Sequence, residues 1–253
     1  TISADKLTSV VVTGNDGLNL TNTAATLITN FDASAVAAND SSDTAANMAV
    51  TYTSANTSAT AAVTIKGGEG DDVLQGNNGI DTITGGAGAD VITMTSGNDV
   101  ISMGAGDDSF SVTEALLINH SETTSTVDGG AGTDILLFGE AAVINIVDAD
   151  FRGMTSIETL TTNNGTNNVV LAANADAVGF TTINGGTGAD TIDISSVDFD
   201  NAVSITGGTG VDVLKLAAGT AQVATLKFSA SSNGDDVITG FTTGTDKIDV
   251  SAL

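Results

Sequence analysis

The chain has 253 residues and a formal net charge of −25, from 31 acidic and 6 basic residues. This charge argues against nucleic acid and anionic membranes as partners and favours cations. The chain has no cysteine, which excludes disulfides and thiolate metal sites, and no apolar run of about 18 residues that would span a membrane. With 41% hydrophobic but only 4% aromatic residues and no proline, the composition favours thin β-structure over helix bundles.

Residues 1–66 contain short β-prone segments separated by polar turns. The segments are SVVVTG, LNLTN, TLITNFDAS, MAVTYTS and AVTIKGG. They predict the rungs of a β-solenoid that leads directly into the segment at Gly67. The chain starts at Thr1 without a basic and then apolar leader, so we expect a processed piece or a protein exported without an N-terminal signal.

Residues 67–111 divide into five contiguous nonapeptides: GGEGDDVLQ, GNNGIDTIT, GGAGADVIT, MTSGNDVIS and MGAGDDSFS. Three positions are constant in character. The sixth is always aspartate, namely Asp72, Asp81, Asp90, Asp99 and Asp108. The fourth is always glycine, namely Gly70, Gly79, Gly88, Gly97 and Gly106. The eighth is large and apolar, namely Leu74, Ile83, Ile92, Ile101 and Phe110.

This pattern predicts short strands joined by cation-binding turns. Three residues such as Val73–Gln75 form a strand with the middle side chain inward, and the six others turn the chain. Glycines allow φ > 0 and expose backbone carbonyls. A hard divalent cation takes six to eight oxygens from carboxylates and carbonyls, and it would neutralise the repulsion between the aspartates.

The repeat resembles the GGxGxDxUx nonapeptide of the RTX family, whose repeats bind calcium. The resemblance implies an all-β fold, a right-handed parallel β-roll with Ca²⁺ in the turns between stacked loops. Successive strands would alternate between two sheets, so that every second loop stacks on the same edge. The pairs Asp72/Asp90, Asp90/Asp108 and Asp81/Asp99 then predict at least three ions in residues 67–111.

The predicted ligands are the five aspartates together with oxygens of other loop residues. These residues are Gly67, Glu69, Gly76, Asn78, Gly85, Gly86, Ala87, Gly88, Thr95, Gly97, Gly104 and Gly106. Met94 and Thr95 replace the double glycine of the fourth repeat, and Met103 replaces the first glycine of the fifth. We expect weaker or distorted sites there.

Residues 112–253 carry single copies of the motif at irregular spacing. They lie at 129–137, 185–193 and 207–215, with fainter copies ending at Asp236 and Asp246. The predicted ligands are Asp134, Asp190, Asp212 and Asp236. Between the copies, TDILLF, AVINIV, NNVVLA, TINGG, AVSITGG and VDVLKLA predict strands of wider rungs. FRGMTSIETL is interpreted as a rung cap or a packing insert around Arg152.

We predict three regions in one continuous body: solenoid rungs at 1–66, a β-roll at 67–111, and wider rungs with scattered loops at 112–253. The segment DDVITGFTTGTDKIDVSAL resembles the one that follows RTX repeats in proteins exported by type I secretion, which carry an uncleaved C-terminal signal.

The sequence offers no recognised catalytic motif. His120 is the only histidine, and neither HExxH nor GxSxG occurs. We therefore predict a protein that is not an enzyme. From the RTX resemblance we also predict that the protein is secreted to the bacterial cell surface. The wider chain resembles RTX-containing S-layer proteins, being acidic, cysteine-free and rich in Thr, Ala, Gly and Asn.

Three functions stay open: a surface-layer protein that assembles in calcium, a secretion and folding domain of a larger exoprotein, and an adhesin module. The expected partners are copies of the chain and, through a region outside it, cell-surface polysaccharide, with no nucleic acid and no membrane insertion.

Overall fold

A computed structural model describes residues 6–20, 22, 26–56, 58, 60–121, 125–139, 143–196, 199–219, 223–229 and 234–252. Its first eleven strands are β1 (Ser9–Gly14), β2 (Leu18–Leu20), β3 (Asn30–Val36), β4 (Val50–Thr53), β5 (Thr64–Lys66), β6 (Val73–Gln75), β7 (Thr82–Ala87), β8 (Val91–Thr93), β9 (Val100–Ala105), β10 (Ser109–Val112) and β11 (Thr126–Ala131). Helix α1 (Glu114–Ser121) lies between β10 and β11.

The later elements are β12 (Ile135–Phe138), β13 (Asn145–Ile146), a 3-10 helix (Asp148–Phe151), β14 (Met154–Thr155), β15 (Thr159–Thr161), β16 (Asn168–Val170), α2 (Ala173–Val178), β17 (Thr182–Asn184), β18 (Thr191–Asp193), β19 (Val203–Thr206), β20 (Val213–Lys215), β21 (Ala224–Ser229), β22 (Val237–Thr239) and β23 (Lys247–Ala252). The chain forms two compact units, one of residues 1–112 and 119–135 and one of residues 113–118 and 136–253.

The first unit is a parallel β-solenoid with two sheets. One sheet has the order β1-β3-β5-β7-β9-β11 and the other the order β2-β4-β6-β8-β10. Consecutive strands thus alternate between the sheets, as the nonapeptide pattern predicts. Within each sheet, equivalent residues of successive rungs pair with each other: Leu74 pairs with Ile92, and Ile92 with Phe110.

The second unit has the same type of architecture. Its strands form the orders β12-β15-β17-β19-β21-β23 and β13-β16-β18-β20-β22, and every pairing is parallel among the registers described. Each β-prone segment that the sequence indicated, in either unit, contains or overlaps a strand. The all-β parallel solenoid is therefore confirmed.

The core of residues 67–111 contains the eighth residues of the repeats, which form one column on each sheet. Leu74, Ile83, Ile92, Ile101 and Phe110 are all buried, whereas neighbours such as Val73 face solvent. This is the period-two alternation of a strand with one covered face. Burying each such side chain contributes about 1.5–3 kcal/mol.

The strands of one sheet are longer than predicted. β7, β9 and β11 have six residues each, because the first half of the turn continues the ladder. Gly86 pairs with Gly104, and Ala87 with Ala105. Turns that stack this closely satisfy their own backbone N–H and C=O groups against the rung beside them.

Both helices were missed by the strand-based interpretation. Helix α2 is positioned by Asp148, whose carboxylate accepts the N–H groups of Ala172, Asn174 and Ala175 at 2.7–3.1 Å. Such a side chain satisfies the orphan donors of a helix N-terminus.

The FRGMTSIETL segment is centred on a buried aromatic residue. Phe151 is buried and its ring lies edge-on to Phe180 with centroids 5.3 Å apart, whereas Arg152 is exposed. The packing insert is therefore built around Phe151, and placing Arg152 at its centre was wrong.

Candidate calcium sites

Four aspartates of the first unit form a column along one edge: Asp72, Asp90, Asp108 and Asp134. Each Oδ1 accepts the N–H of the aspartate one rung earlier, at 2.8 Å from Asp72 N to Asp90, 2.7 Å from Asp90 N to Asp108, and 2.8 Å from Asp108 N to Asp134. The loop ending at Asp134, isolated in the sequence, thus stacks directly on the fifth repeat. The column has three gaps between stacked loops.

Shorter columns repeat this arrangement elsewhere. On the other edge of the first unit, Asp81 N donates to Asp99 Oδ1 at 2.9 Å. In the second unit, Asp190 N donates to Asp212 Oδ1 and Asp212 N to Asp236 Oδ1, both at 2.9 Å. The structure therefore brings together each aspartate pair that the loop stacking predicted, and it adds three pairs that involve the scattered copies: Asp108/Asp134, Asp190/Asp212 and Asp212/Asp236.

The second carboxylate oxygens differ in their partners: those of Asp72 and Asp81 accept the N–H groups of Gly68 and Asn77, at 2.7 and 2.6 Å. The Oδ2 atoms of five buried aspartates accept no hydrogen bond from the part of the chain that the structure describes; they belong to Asp90, Asp99, Asp108, Asp190 and Asp212. A buried anionic oxygen without a partner is unfavourable by several kcal/mol. These oxygens therefore favour either a proton or a bound cation.

The first glycine of a loop leaves space for that ligand. A methyl group on Gly67 would collide with both Asp72 Oδ2 and the carbonyl oxygen of Gly85 on the next rung. A methyl group on Gly85 would collide with Asp90 Oδ2 and the Met103 carbonyl. Asp72 Oδ2 also accepts the Gly68 N–H at 2.7 Å, whereas Asp90 Oδ2 accepts no hydrogen bond from the described residues. Carboxylate and carbonyl oxygens thus converge at both positions, which is the ligand set that Ca²⁺ prefers.

Other predicted ligand residues shape the turns. Gly76 lies against Asp81 Oδ2 as Gly67 lies against Asp72. Positive φ angles occur at Gly86, Gly88, Gly97, Gly104 and Gly106. At Gly88 (φ 111°) a side chain would also collide with the Gly70 carbonyl below, so only glycine allows this close stacking. Ala87 lies in the ladder beside these glycines.

Three predicted residues occupy different surroundings. Thr95 Oγ1 is buried without a hydrogen-bond partner among the described residues, as expected of a loop that awaits a ligand. Asn78 is exposed. Glu69 is also exposed, and its Oε2 accepts the N–H of Ala38 at 2.9 Å, so its carboxylate caps a neighbouring turn.

Two acids that the sequence interpretation overlooked also connect rungs. Asp71 Oδ1 accepts the N–H of Ala89, and Asp107 Oδ1 accepts that of Thr133, both at 2.8 Å. Both are fifth residues of their repeats. The doubled aspartate in GDD was the available signal, because the fifth residue faces the next loop.

Burial raises the pKa of the column aspartates. Burial, and next the charges of Asp72 and Asp108, raise the pKa of Asp90 to about 8. Burial, with the charge of Asp81, raises the pKa of Asp99 to about 7, and burial, with the charge of Asp212, raises that of Asp190 to about 6. The same direction holds for Asp72, Asp81, Asp108 and Asp212. A metal-free column therefore resists full ionisation.

Each candidate calcium position combines a single carboxylate with nearby carbonyl oxygens. Within the described ranges, no three His, Cys, Asp or Glu side chains converge as a metal cluster. Nor does any described helix combine the length and apolar character needed to cross a membrane.

Comparison with known families agrees with this geometry. The family model of the RTX calcium-binding nonapeptide repeat (4 copies) matches residues 66–101, 75–110 and 179–193. The chain therefore carries RTX repeats, and RTX repeats bind Ca²⁺ in several of their turns. Searches of curated proteins and of solved structures found no match to this chain. The stacked loops at 129–134 and 207–212 extend the same geometry beyond the matched residues.

Proposed function

We propose that this chain is a calcium-dependent structural module of an exported bacterial protein, and that calcium binding drives its folding. The observation that carries the proposal is the set of buried aspartate columns, in which five Oδ2 atoms accept no hydrogen bond from the described residues, namely those of Asp90, Asp99, Asp108, Asp190 and Asp212. Without a cation, these carboxylates oppose the folded state by desolvation and mutual repulsion. With Ca²⁺ between the loops, the same groups become ligands, and the binding free energy becomes folding free energy.

The coupling of folding to calcium binding suits a protein that is exported before it folds. Extracellular calcium modules bind at about 10⁻⁴–10⁻³ M, well above cytosolic concentrations. A chain with this property stays expanded by self-repulsion inside the cell and folds once it reaches the medium. A type I route, with its signal in or beyond the segment that contains β22 and β23, is part of this proposal.

A structural role suits the surface better than a catalytic one. Two clefts of about 290 and 340 Å³ are lined without any acidic, basic or histidine side chain. Their lining residues are Thr53, Ser54, Asn56, Gln75, Gly76, Asn77, Asn78 and Thr95 in one, and Leu137, Phe138, Gly139, Thr161, Thr162, Asn163 and Asn164 in the other. The column aspartates instead line the loop edges. There they connect successive rungs by hydrogen bonds and would bind the metal.

The more specific form of the proposal is a surface layer. In it, folded chains associate with copies of themselves on the cell surface, with an attachment to surface polysaccharide outside this chain. The acidic, cysteine-free and Thr-rich composition supports this form. A folding and secretion module of a larger exoprotein accounts equally well for the calcium columns, and an adhesin module is a further alternative.

One experiment separates these forms. Metal-depleted chain is titrated with CaCl₂ from 10 µM to 10 mM, followed by far-UV circular dichroism, and the end point is imaged by negative-stain electron microscopy. A cooperative gain of β-structure supports calcium-coupled folding, and its absence refutes it. Two-dimensional sheets support the surface layer, whereas dispersed folded particles support the secretion and folding module. MgCl₂ at the same concentrations is the control.

A further inference from the structure

Residues 162–170 (TNNGTNNVV) form a nonapeptide loop, although their sequence lacks the glycine pair and the aspartate of the motif. Strand β16 at its end pairs in parallel with β18, the strand of the 185–193 copy. Asn167 stands at the sixth position, and its N–H donates to Asp190 Oδ1 at 2.8 Å. This is the bond that links successive aspartates in the calcium columns. The loop is therefore the first rung of the Asp190 column, with asparagine in place of aspartate.

The Asn167 amide nitrogen lies among four oxygens. Its Nδ2 is 3.1 Å from Thr162 Oγ1 and 3.2, 3.0 and 3.1 Å from the carbonyl oxygens of Asn163, Gly165 and Gly185. We call these four atoms the oxygen cage. An amide has only two hydrogens to donate, so four converging oxygens exceed what it needs. The opposite amide orientation would place Oδ1 against the cage, which electrostatics disfavours.

The matching atoms of a calcium loop explain the cage. In the third repeat, Asp90 Oδ2 and the carbonyl oxygen of Met103 on the next rung converge beside Gly85, and both atoms are negative. In the 162–167 loop, Asn167 Nδ2 occupies the corresponding position and bonds directly to the Gly185 carbonyl. The positive end of the amide dipole thus contacts the oxygens that a cation would otherwise bridge.

Thr162 further fills the space. It replaces the first glycine of the motif, is buried, and donates its hydroxyl to the Gly185 carbonyl. Asn163 replaces the second glycine, and its Oδ1 accepts the Gly165 N–H at 2.8 Å. Asn77 Oδ1 and the Gly79 N–H make the same turn in the second repeat, at 2.6 Å.

We propose that the oxygen cage is a calcium position whose ion has been replaced by the Asn167 side-chain amide, so that the 162–167 loop is ordered without metal. The first rung of the column in the second unit is then uncharged, and the buried carboxylates of this column begin at the next rung, with Asp190. This inference rests on the proposed calcium binding by the neighbouring loops.

The test is the number of calcium ions bound per chain at saturation, measured by equilibrium dialysis with elemental analysis on the full chain. Asn167→Asp restores the carboxylate and should bind one ion more than the original chain. Asn168→Asp adds the same charge at the adjacent exposed position and should bind the original number. Asn167→Ala should also keep the original number but melt several degrees lower in saturating calcium, because the cage loses its donor.

Two results would overturn the inference while leaving the proposed function intact. One is an unchanged calcium number in Asn167→Asp. The other is one ion fewer in Asn167→Ala, which would make Asn167 itself a calcium ligand. A chain that binds no calcium in any variant would overturn both proposals together.

Discussion

Acid should partly replace calcium in folding this chain. The three strongest pKa changes in the metal-free fold are those of Asp90 to about 8, Asp99 to about 7 and Asp190 to about 6, from a value of 3.8. Because these folded-state pKa values are raised, the folded state binds more protons than the unfolded chain between pH 4 and 8. Stability of the metal-free chain therefore falls as pH rises through this range.

The magnitude follows from about 1.4 kcal/mol per pKa unit. At pH 7 the three carboxylates together oppose folding by roughly 10 kcal/mol, which is comparable to the whole stability of an ordinary domain. Lowering the pH to 5 removes about 6 kcal/mol of this penalty. We therefore expect the metal-depleted chain to gain β-structure between pH 7 and pH 5.

The assay is far-UV circular dichroism of chelator-treated, dialysed chain across pH 4.5–8, with urea midpoints where the chain is folded. Asp90→Asn should reduce the pH dependence that these three groups produce by roughly two-fifths, because it removes the most strongly shifted of them. Asp32→Asn is the matched control, since hydrogen bonds from Ser34 lower the pKa of Asp32. A β-sheet signal that stays constant or falls on acidification would refute the reasoning.

Three further outcomes are expected. Asp90→Ala should lose two bound ions and Asp72→Ala one, by equilibrium dialysis, since Asp90 lies between two gaps of its column; equal losses would contradict the stacking. Gly106→Ala should cost at least about 1–3 kcal/mol and lower the melting temperature, because Gly106 has φ 141° and faces a backbone carbonyl, while Gly219→Ala, with open space around it, should be neutral. Removing calcium by chelation at pH 7.5 should raise the rate of proteolysis steeply, and resistance of the metal-depleted chain would count against metal-coupled folding.

The fold could be predicted wherever the repeat length equals one half-turn of the solenoid. Nine residues bring each eighth side chain, such as Leu74 and Ile92, to the same inward position, so periodicity alone fixes strand, register and core. The aspartate columns follow for the same reason. The nine-residue spacing therefore predicts long-range contacts, because each residue pairs with the equivalent residue two nonapeptides further along the chain.

The prediction failed where the spacing becomes irregular. Asp134 contacts Asp108 across 26 residues, and helix α1 accounts for part of that interval, which no period indicates. The Asn167 rung was missed because TNNGTNN has neither the glycine pair nor the aspartate. The direction of the Glu69 carboxylate depends on Ala38, a residue 31 positions away, so its role could not be predicted from the repeat.

The parallel stacking also makes each loop edge a short polyelectrolyte. Strands in a sheet lie about 4.8 Å apart, so an ionised column carries one charge per about 4.8 Å. Its linear charge density is of the same order as that of a single DNA strand, with one charge per about 3.4 Å. When calcium ionises the column, each divalent ion neutralises two of its charges and displaces the protons or sodium ions that balanced them. The calcium concentration needed for folding should therefore rise with the sodium chloride of the surroundings, so that salinity sets the point at which the protein becomes ordered.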